Sequence, residues 1–431
     1  MKIPFKKQRN KSERTFSFNE VLKDVKSFFD PQPQKEKVLR HEDFNGAGDV
    51  YYANVSVAYK ITQRLLVLLL VVFLIFSFVT NINNITYNNF FYLIKDFSNA
   101  IDIESSNYDT LSYPSNPRHF FALYRGGLTV VNPSSICVFT ATGRNTLNAQ
   151  SGFSSPCIEA TDKYFLIYDT ADTAFSIYNS FVRIYSETLE YPITDACFAN
   201  NGYFAVVTRD IGHKSLVHIY DDDFDRLFTV PSTSINKFVF DIDIDDRSQN
   251  IAICYYDIGN GTGKTEIVVR KLSDMSIVEE IVLDSEFPIS AKFIGDSSLA
   301  LITDTATSIY NKKFDQIEKY SYGSSNLTGY NINEYGVSVS YTKNSQTFFV
   351  VHNASGELIF DQAINDNVND VALFENYGFL RTDSGVIRID LTTDERQFLP
   401  SDQGKMLIYN VNTALVCGES KAEYLVFKQK N

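Results

Sequence analysis

The sequence predicts an all-β fold: a single β-propeller of eight blades, with seven as the alternative, behind one N-terminal transmembrane helix. Three observations carry this. A strand-turn-strand unit recurs eight times along most of the chain. The composition sets 26 Tyr and 35 Phe against no Trp and 3 Met, and with Ile, Val and Thr in short runs it suits pleated, half-buried surfaces. Near the N-terminus, one long apolar run carries no charge.

Charge divides the chain before any fold is considered. Residues 1–64 carry 13 Lys and Arg against 8 Asp and Glu, so the remainder carries -18 of the total of -13. An acidic chain of this kind lacks the basic footprint of a nucleic-acid binder. Within the basic part, "SFNEVLKDVKSFFDP" repeats Phe18, Val21, Leu22, Val25, Phe28 and Phe29 at helical spacing, with Asn19 as cap and Pro31 just beyond. This amphipathic helix suits an anionic membrane surface or a partner, the alternative being a weakly ordered tail. Residues 1–60 form this basic segment.

From Leu65 the chain reads "LLVLLLVVFLIFSFVT", 14 large apolar side chains in sixteen residues. Insertion of such a run into lipid gains roughly 6 kcal/mol. Extended to Ile61 and Ile82 it reaches the roughly 20 residues that a spanning helix needs. Residues 61–82 are therefore expected to be a signal anchor held in the bilayer by side chains such as Leu65, Leu70, Phe73 and Val79. Lys60 and Arg64 flank its start, and the first basic residue after it is Lys95. The positive-inside rule then places the N-terminus in the cytoplasm and the acidic portion outside a cell membrane crossed once. Residues 83–118 form a connecting helix, "NNFFYLIKDFSNAI", and a polar linker.

The region 119–431 carries the repeats: "ALYRGGLTVV", "IEATDKYFLIY", "CFANNGYFAVV", "IDIDDRSQNIAIC", "KFIGDSSLALI", "NINEYGVSVS", "ALFENYGFL" and "IYNVNTALVCG". Each is a hairpin, because Gly, Asn and Asp tolerate the positive φ of tight turns. The first residues after the turns are Leu128, Tyr164, Tyr203, Ile251, Leu299, Val337, Phe379 and Ala414, about 41 residues apart on average, the period of a four-stranded blade. A third strand such as "LVHIYD" or "EIVVRK" follows most hairpins, and a weaker fourth such as "RLFTV" follows that. The last unit ends at "YLVFKQKN", so closure needs an outer strand from the start of the domain, with "YDTLSYP" as its source.

The tempting chemical motifs resolve into this repeat. In "FDIDIDDRSQNIAIC", Asp241, Asp243 and Asp245 have the alternate spacing of a calcium loop and are the metal candidates. The Gly and Glu that such a loop requires are replaced by Asp246 and Ala252, and Phe240, Ile242 and Ile244 alternate with the aspartates as in a strand with one polar face. "GNGTGKTE" ends like a phosphate loop but lacks its first Gly and leads into a strand. "DDDFD" falls at a turn between third and fourth strands. The five His form no HExxH pair. The five Cys are dispersed, which suits buried small hydrophobes and leaves open one pair, Cys137 with Cys157.

The basic segment, the apolar run, "NNFFYLIKDF" and hairpins of the "NNGYFAVVTRD…SLVHIYDDDF" type together resemble an uncharacterised family of membrane-anchored, WD40-like propeller proteins from low-GC Gram-positive bacteria, catalogued as a domain of unknown function. The resemblance spans residues 60–431 and implies no catalytic residues. The sequence thus points to a non-enzymatic, extracytoplasmic binding or scaffolding module. No cofactor is expected, and its expected partners are the lipid bilayer and envelope or membrane proteins. Two alternatives stand beside it: a hydrolase or lyase using channel-facing Asp195, Asp241 or Asp370, and recognition of cell-wall polymers through exposed Tyr.

Overall fold

A strand that is apolar on both faces must be covered on both, and here that requirement falls on the second strand of each repeat. Gly127–Val131, Phe165–Asp169 and Phe204–Thr208 are buried at every position, whereas fourth strands such as Arg226–Pro231 and Ile277–Asp284 are mostly exposed. In the computed structural model this gradient is resolved as radial blades. The structure describes residues 59–73 and 110–428, apart from Ala171, Thr233, Ser248, Asn260, Asp296, Ser297 and Ser324.

Among the described residues there are eight four-stranded antiparallel sheets. Blades 1 to 7 run in chain order from Phe120 to Pro400, each with its strands in sequence from the inside outward. All eight hairpins read from the sequence are the inner and second strands of a blade. Blade 8 takes Lys405–Asn410, Thr413–Cys417 and Lys421–Val426 from the end of the chain, and its outer strand is Thr110–Ser112. Thr110 pairs with Glu423 and Ser112 with Lys421, so closure comes from within "YDTLSYP", upstream of residue 119 and inside the stretch expected to be linker. Tyr113 extends the seam by donating from its backbone N to Ser420 O (3.0 Å) and from its hydroxyl to Gly418 O (2.7 Å).

The core has the same circular order. Eight apolar clusters each join one blade to the next: Leu166, Phe175 and Tyr220 between blades 2 and 3, Ile219, Ile242 and Ile253 between 3 and 4, and so on round the ring. The last cluster packs Leu111, Leu415 and Cys417 of blade 8 on Leu128 and Val130 of blade 1. No sheet of this size is stable alone, so stability resides in these joints.

Asx side chains close turns between third and fourth strands. Asp221 of "DDDFD" accepts the backbone N–H of Asp223 and Asp225 at 3.1 and 2.9 Å, an Asx turn. Asn311 does the same for Lys313 and Asp315. Gly261, Thr262 and Gly263 of "GNGTG" lead directly into the third strand of blade 4, Lys264–Lys271.

The chain divides into two units, Met1–Asn89 and Phe90–Asn431. In the first, residues 59–73 are helical and apolar side chains are exposed on every side, including Leu65, Leu70 and Phe73 at 55, 58 and 67 %. At 1.5 Å per residue this helix is about 22 Å long, against about 30 Å of hydrocarbon. Among the described residues no helix is long and apolar enough to cross a membrane. Residues 74–82 of the expected span, Val79 among them, lie outside the described residues, as do the two short helices expected on either side of it.

Candidate functional site: the central channel

The inner strand of every blade has one neighbour only, so its other edge faces the channel with backbone groups unpaired. Blades 3 to 7 share a device at this edge. Their inner strands, Ile193–Phe198, Lys237–Ile244, Pro288–Ile294, Asn326–Asn333 and Val368–Phe374, each carry a bulge at the same place. A bulge re-aims the side chains that follow it. The first residues after the bulge are Asp195, Asp241, Ser290, Gly329 and Asp370. The three aspartates proposed from sequence as channel-facing therefore occupy one equivalent position on three different blades.

Two of these aspartates are engaged in joining blades. Asp241 Oδ2 accepts from the Ala291 backbone N (2.8 Å) and the Ser290 hydroxyl (3.0 Å) of blade 5, and its Oδ1 lies 3.2 Å from Lys292 Nζ. Asp243 Oδ2 accepts from the Phe293 backbone N at 2.7 Å, and its Oδ1 lies 3.8 Å from Lys292 Nζ. Lys292 completes the clasp by donating to Ile242 O at 2.9 Å. Asn331 repeats the pattern two joints further on, between blades 6 and 7, accepting from the Leu373 backbone N at 3.2 Å. Asp370 Oδ2 meets Lys405 Nζ of blade 8 at 2.7 Å. Side chains thus satisfy the free backbone edge that the fold leaves open.

Asp195 differs. Its Oδ2 is buried and has no hydrogen-bond partner. Burial first, then repulsion from Asp241, drives its carboxyl well above the ordinary range, and Lys292 offsets only part of this. Burial likewise pushes Glu159, on the inner strand of blade 2, up to about 7 and Asp243 up to about 6, with Lys292 opposing both. Burial pulls Lys292 down, but Asp241, Asp243, Glu159 and Asp195 together raise it well above its usual value. Protein mass surrounds these groups on all sides, yet channel water reaches Lys292, whose side chain is 30 % exposed. Their charges are accordingly damped relative to a dry interior.

The metal candidates separate here. Asp245 is buried, and its carboxylate accepts the backbone N–H of Gln249 (2.8 Å) and Asn250 (3.1 Å) and the Asn250 amide (2.8 Å), closing the hairpin turn. Asp241 and Asp243 face blade 5 instead. Among the described residues no group of three or more His, Cys, Asp or Glu is placed to hold a metal ion. His218 is buried between Thr208 Oγ1 and Thr229 Oγ1 at 3.1 and 3.2 Å, and His352 is fully buried against Tyr320; neither joins the channel cluster. All five Cys are free thiols, Cys137 and Cys157 included.

The channel opens into a cavity at each end. The larger, about 880 Å³, lies at the end where inner strands begin and is lined by Tyr330, Asp370, Arg381, Asp383 and Lys405 among others. The other, about 740 Å³, is bounded by residues such as Arg125, Asp162, Asn200 and Glu334. Glu159, Lys292, Tyr330 and Lys405 were not singled out from the sequence. Their signal is positional: all lie in the first strand of a hairpin, where a charge or exposed ring breaks an otherwise apolar pattern.

Solved structures with this architecture include BamB from Moraxella catarrhalis (9 % identity, TM-score 0.51, covering 74 % of this chain and 99 % of that one). The Dos1 propeller is similar to the same degree (10 %, 0.55, 77 % and 97 %), as is a eukaryotic initiation factor (8 %, 0.51, 72 % and 83 %). At such identities the likeness is one of fold alone. No curated protein matches the chain in sequence. A family model matches residues 105–414, from just before the closure strand into the last blade; the chain belongs to the family of unknown function DUF5711.

Proposed function

We propose that this protein is a membrane-anchored, extracytoplasmic propeller that binds or scaffolds other molecules without transforming them. The observation that carries the non-enzymatic reading is the engagement of Asp241, Asp243 and Asp370. Each accepts from, or pairs with, a group on the next blade, so the carboxylates a hydrolase would recruit are committed to holding the ring together. A general acid and base pair also needs groups that a substrate can reach, and the unpartnered carboxylate oxygen in this cluster, Asp195 Oδ2, is buried.

Support for the anchor is the helix over 59–73, whose apolar side chains are exposed all round, a pattern suited to lipid and costly in water. Lys60 and Arg64 at its start favour a cytoplasmic N-terminus by the positive-inside rule. Binding is the common use of a propeller's two ends, though a fold does not fix a function.

A photo-cross-linking residue placed at Glu334 or Gln403, one at each mouth, tests the reading in intact cells, with the rim position Glu279 as control. Discrete adducts from the mouths and none from the rim are expected, unchanged by Asp195→Asn. Absence of adducts, or a turnover activity abolished by Asp195→Asn, contradicts it.

A further inference from the structure

The larger mouth of the channel is shaped by turns and inner-strand starts of blades 6, 7 and 8. Its volume of about 880 Å³ lies in the range of small-molecule sites. The chemistry of its wall narrows what can occupy it. Formal charges cancel: Asp370 pairs with Lys405 at 2.7 Å, and Arg381 is balanced by Asp383, which accepts the Asn369 amide at 2.7 Å. Arg381 is itself buried with its guanidinium bonded to the backbone carbonyls of Thr382, Gly385, Asp402 and Gly404, so it is not available to grip an anion.

The wall sets Ile289 and Leu327 beside carboxylate, amide and ammonium groups, so a wholly apolar ligand would desolvate polar groups without repaying them. A divalent cation finds no sufficient ligand set, as no cluster of three donors exists among the described residues. What remains is a neutral molecule with many hydroxyls. Tyr330, 41 % exposed on this wall, offers a ring face for the apolar C–H face of a sugar ring, with a phenol at its edge. Asn369, Asp383 and Gln403, all exposed at the rim, supply the planar donors and acceptors that pair with vicinal hydroxyls.

We propose that this mouth binds a short neutral oligosaccharide, with Tyr330 as the stacking platform and Asn369, Asp383 and Gln403 as hydrogen-bonding partners. This rests on the binding reading above, since the sugar is held and not cleaved. Three neutral tetrasaccharides serve as probes: β-1,4-linked N-acetylglucosamine, β-1,4-linked glucose and α-1,4-linked glucose. Each is titrated calorimetrically into the full-length protein in nanodiscs, which avoids glycoside detergents. Binding of at least one, with Kd of about 1 mM or tighter, is expected. Tyr330→Ala should weaken it at least about tenfold and Tyr330→Phe by no more than about threefold, and Gln403→Ala, on an exposed turn, serves as a second variant with a several-fold loss. Binding by none of the three, or binding indifferent to Tyr330→Ala and Gln403→Ala, overturns the site while leaving adduct formation at the mouths to judge the scaffold. Shortening of a bound tetrasaccharide would overturn the non-enzymatic reading and leave the site standing.

Discussion

Replacing Lys292 with Met removes the ammonium group that faces Asp241 and Asp243 at the joint of blades 4 and 5. Its Nζ lies 3.2 and 3.8 Å from carboxylate oxygens and 2.9 Å from Ile242 O. At an effective dielectric of 20, two such contacts amount to about 10 kcal/mol of gross attraction, most of it offset by the desolvation of three charged groups. Breaking a buried pair by deleting one member costs about 3–5 kcal/mol, and because the side chain is 30 % exposed the lower figure of about 3 kcal/mol applies at pH 8. The sign of the pH dependence follows from the carboxylates. Glu159 and Asp243 have folded-state values of about 7 and 6, above their unfolded values, so the folded state retains protons that the unfolded state has lost. Their contribution to stability is present at low pH and is lost as pH rises through these values. Without Lys292 the carboxylates are pushed higher still, and the loss deepens. Urea denaturation of the full-length protein, followed by circular dichroism, should therefore show a gap between wild type and Lys292→Met that grows from about 1 kcal/mol at pH 5 to about 3 kcal/mol at pH 8. A gap that is constant with pH, or no gap at pH 8, refutes the clasp.

Three further outcomes are expected. Asp195→Asn, which relieves a buried carboxyl whose folded value is raised, should leave stability unchanged at pH 5 and raise it by about 1–2 kcal/mol at pH 8; Asp241→Asn, at the equivalent position of the next blade but fully bonded, should destabilise by about 2 kcal/mol, and equal behaviour of the two in urea melts would contradict the distinction. His218 is driven down to about 4 by burial, helped by Arg226, so between pH 6.5 and 4 the unfolded state gains a proton that the folded state refuses. Up to about 3 kcal/mol is lost on acidification, and melts at stepped pH should show His218→Gln losing less. Leu111 is 6 % exposed in the closure strand, and Leu111→Asp, by burying a charge in the seam, should cost at least about 3 kcal/mol and open blade 8 to limited proteolysis ahead of the others.

Much of the ring is visible in the sequence because turn chemistry and strand alternation are local. Each hairpin announces itself by two apolar runs about a Gly, Asn or Asp turn, and the shortage of a fourth strand after "YLVFKQKN" implies that the N-terminal stretch supplies it. The channel is less legible because it is assembled by register. Lys292 in "ISAKFIG" reads as an ordinary exposed lysine; only the bulge at Ile289 and the neighbouring blade reveal that it faces Asp241, some fifty residues away. Asp195 and Asp241, similar in sequence setting, end with different partners because the residue after the bulge on the next blade differs: Ser290 and the Ala291 N–H meet Asp241, whereas blade 4 presents the Asp241 carboxylate toward Asp195, and nothing meets the Asp195 Oδ2. Tyr330 was hidden for a related reason, since an aromatic residue in a strand is normally core, and its exposure depends on what the next blade leaves open.

The most direct test of the account is the side of the membrane on which the wheel lies. A cysteine introduced at Asp223, exposed on a blade turn, in a chain whose native thiols are buried or half-buried, can be treated in intact cells with a membrane-impermeant maleimide. Labelling before lysis, blocked by prior quenching of the medium, is the expected result. Labelling that appears only after the cells are opened would place the propeller in the cytoplasm and contradict the anchored, outward-facing arrangement.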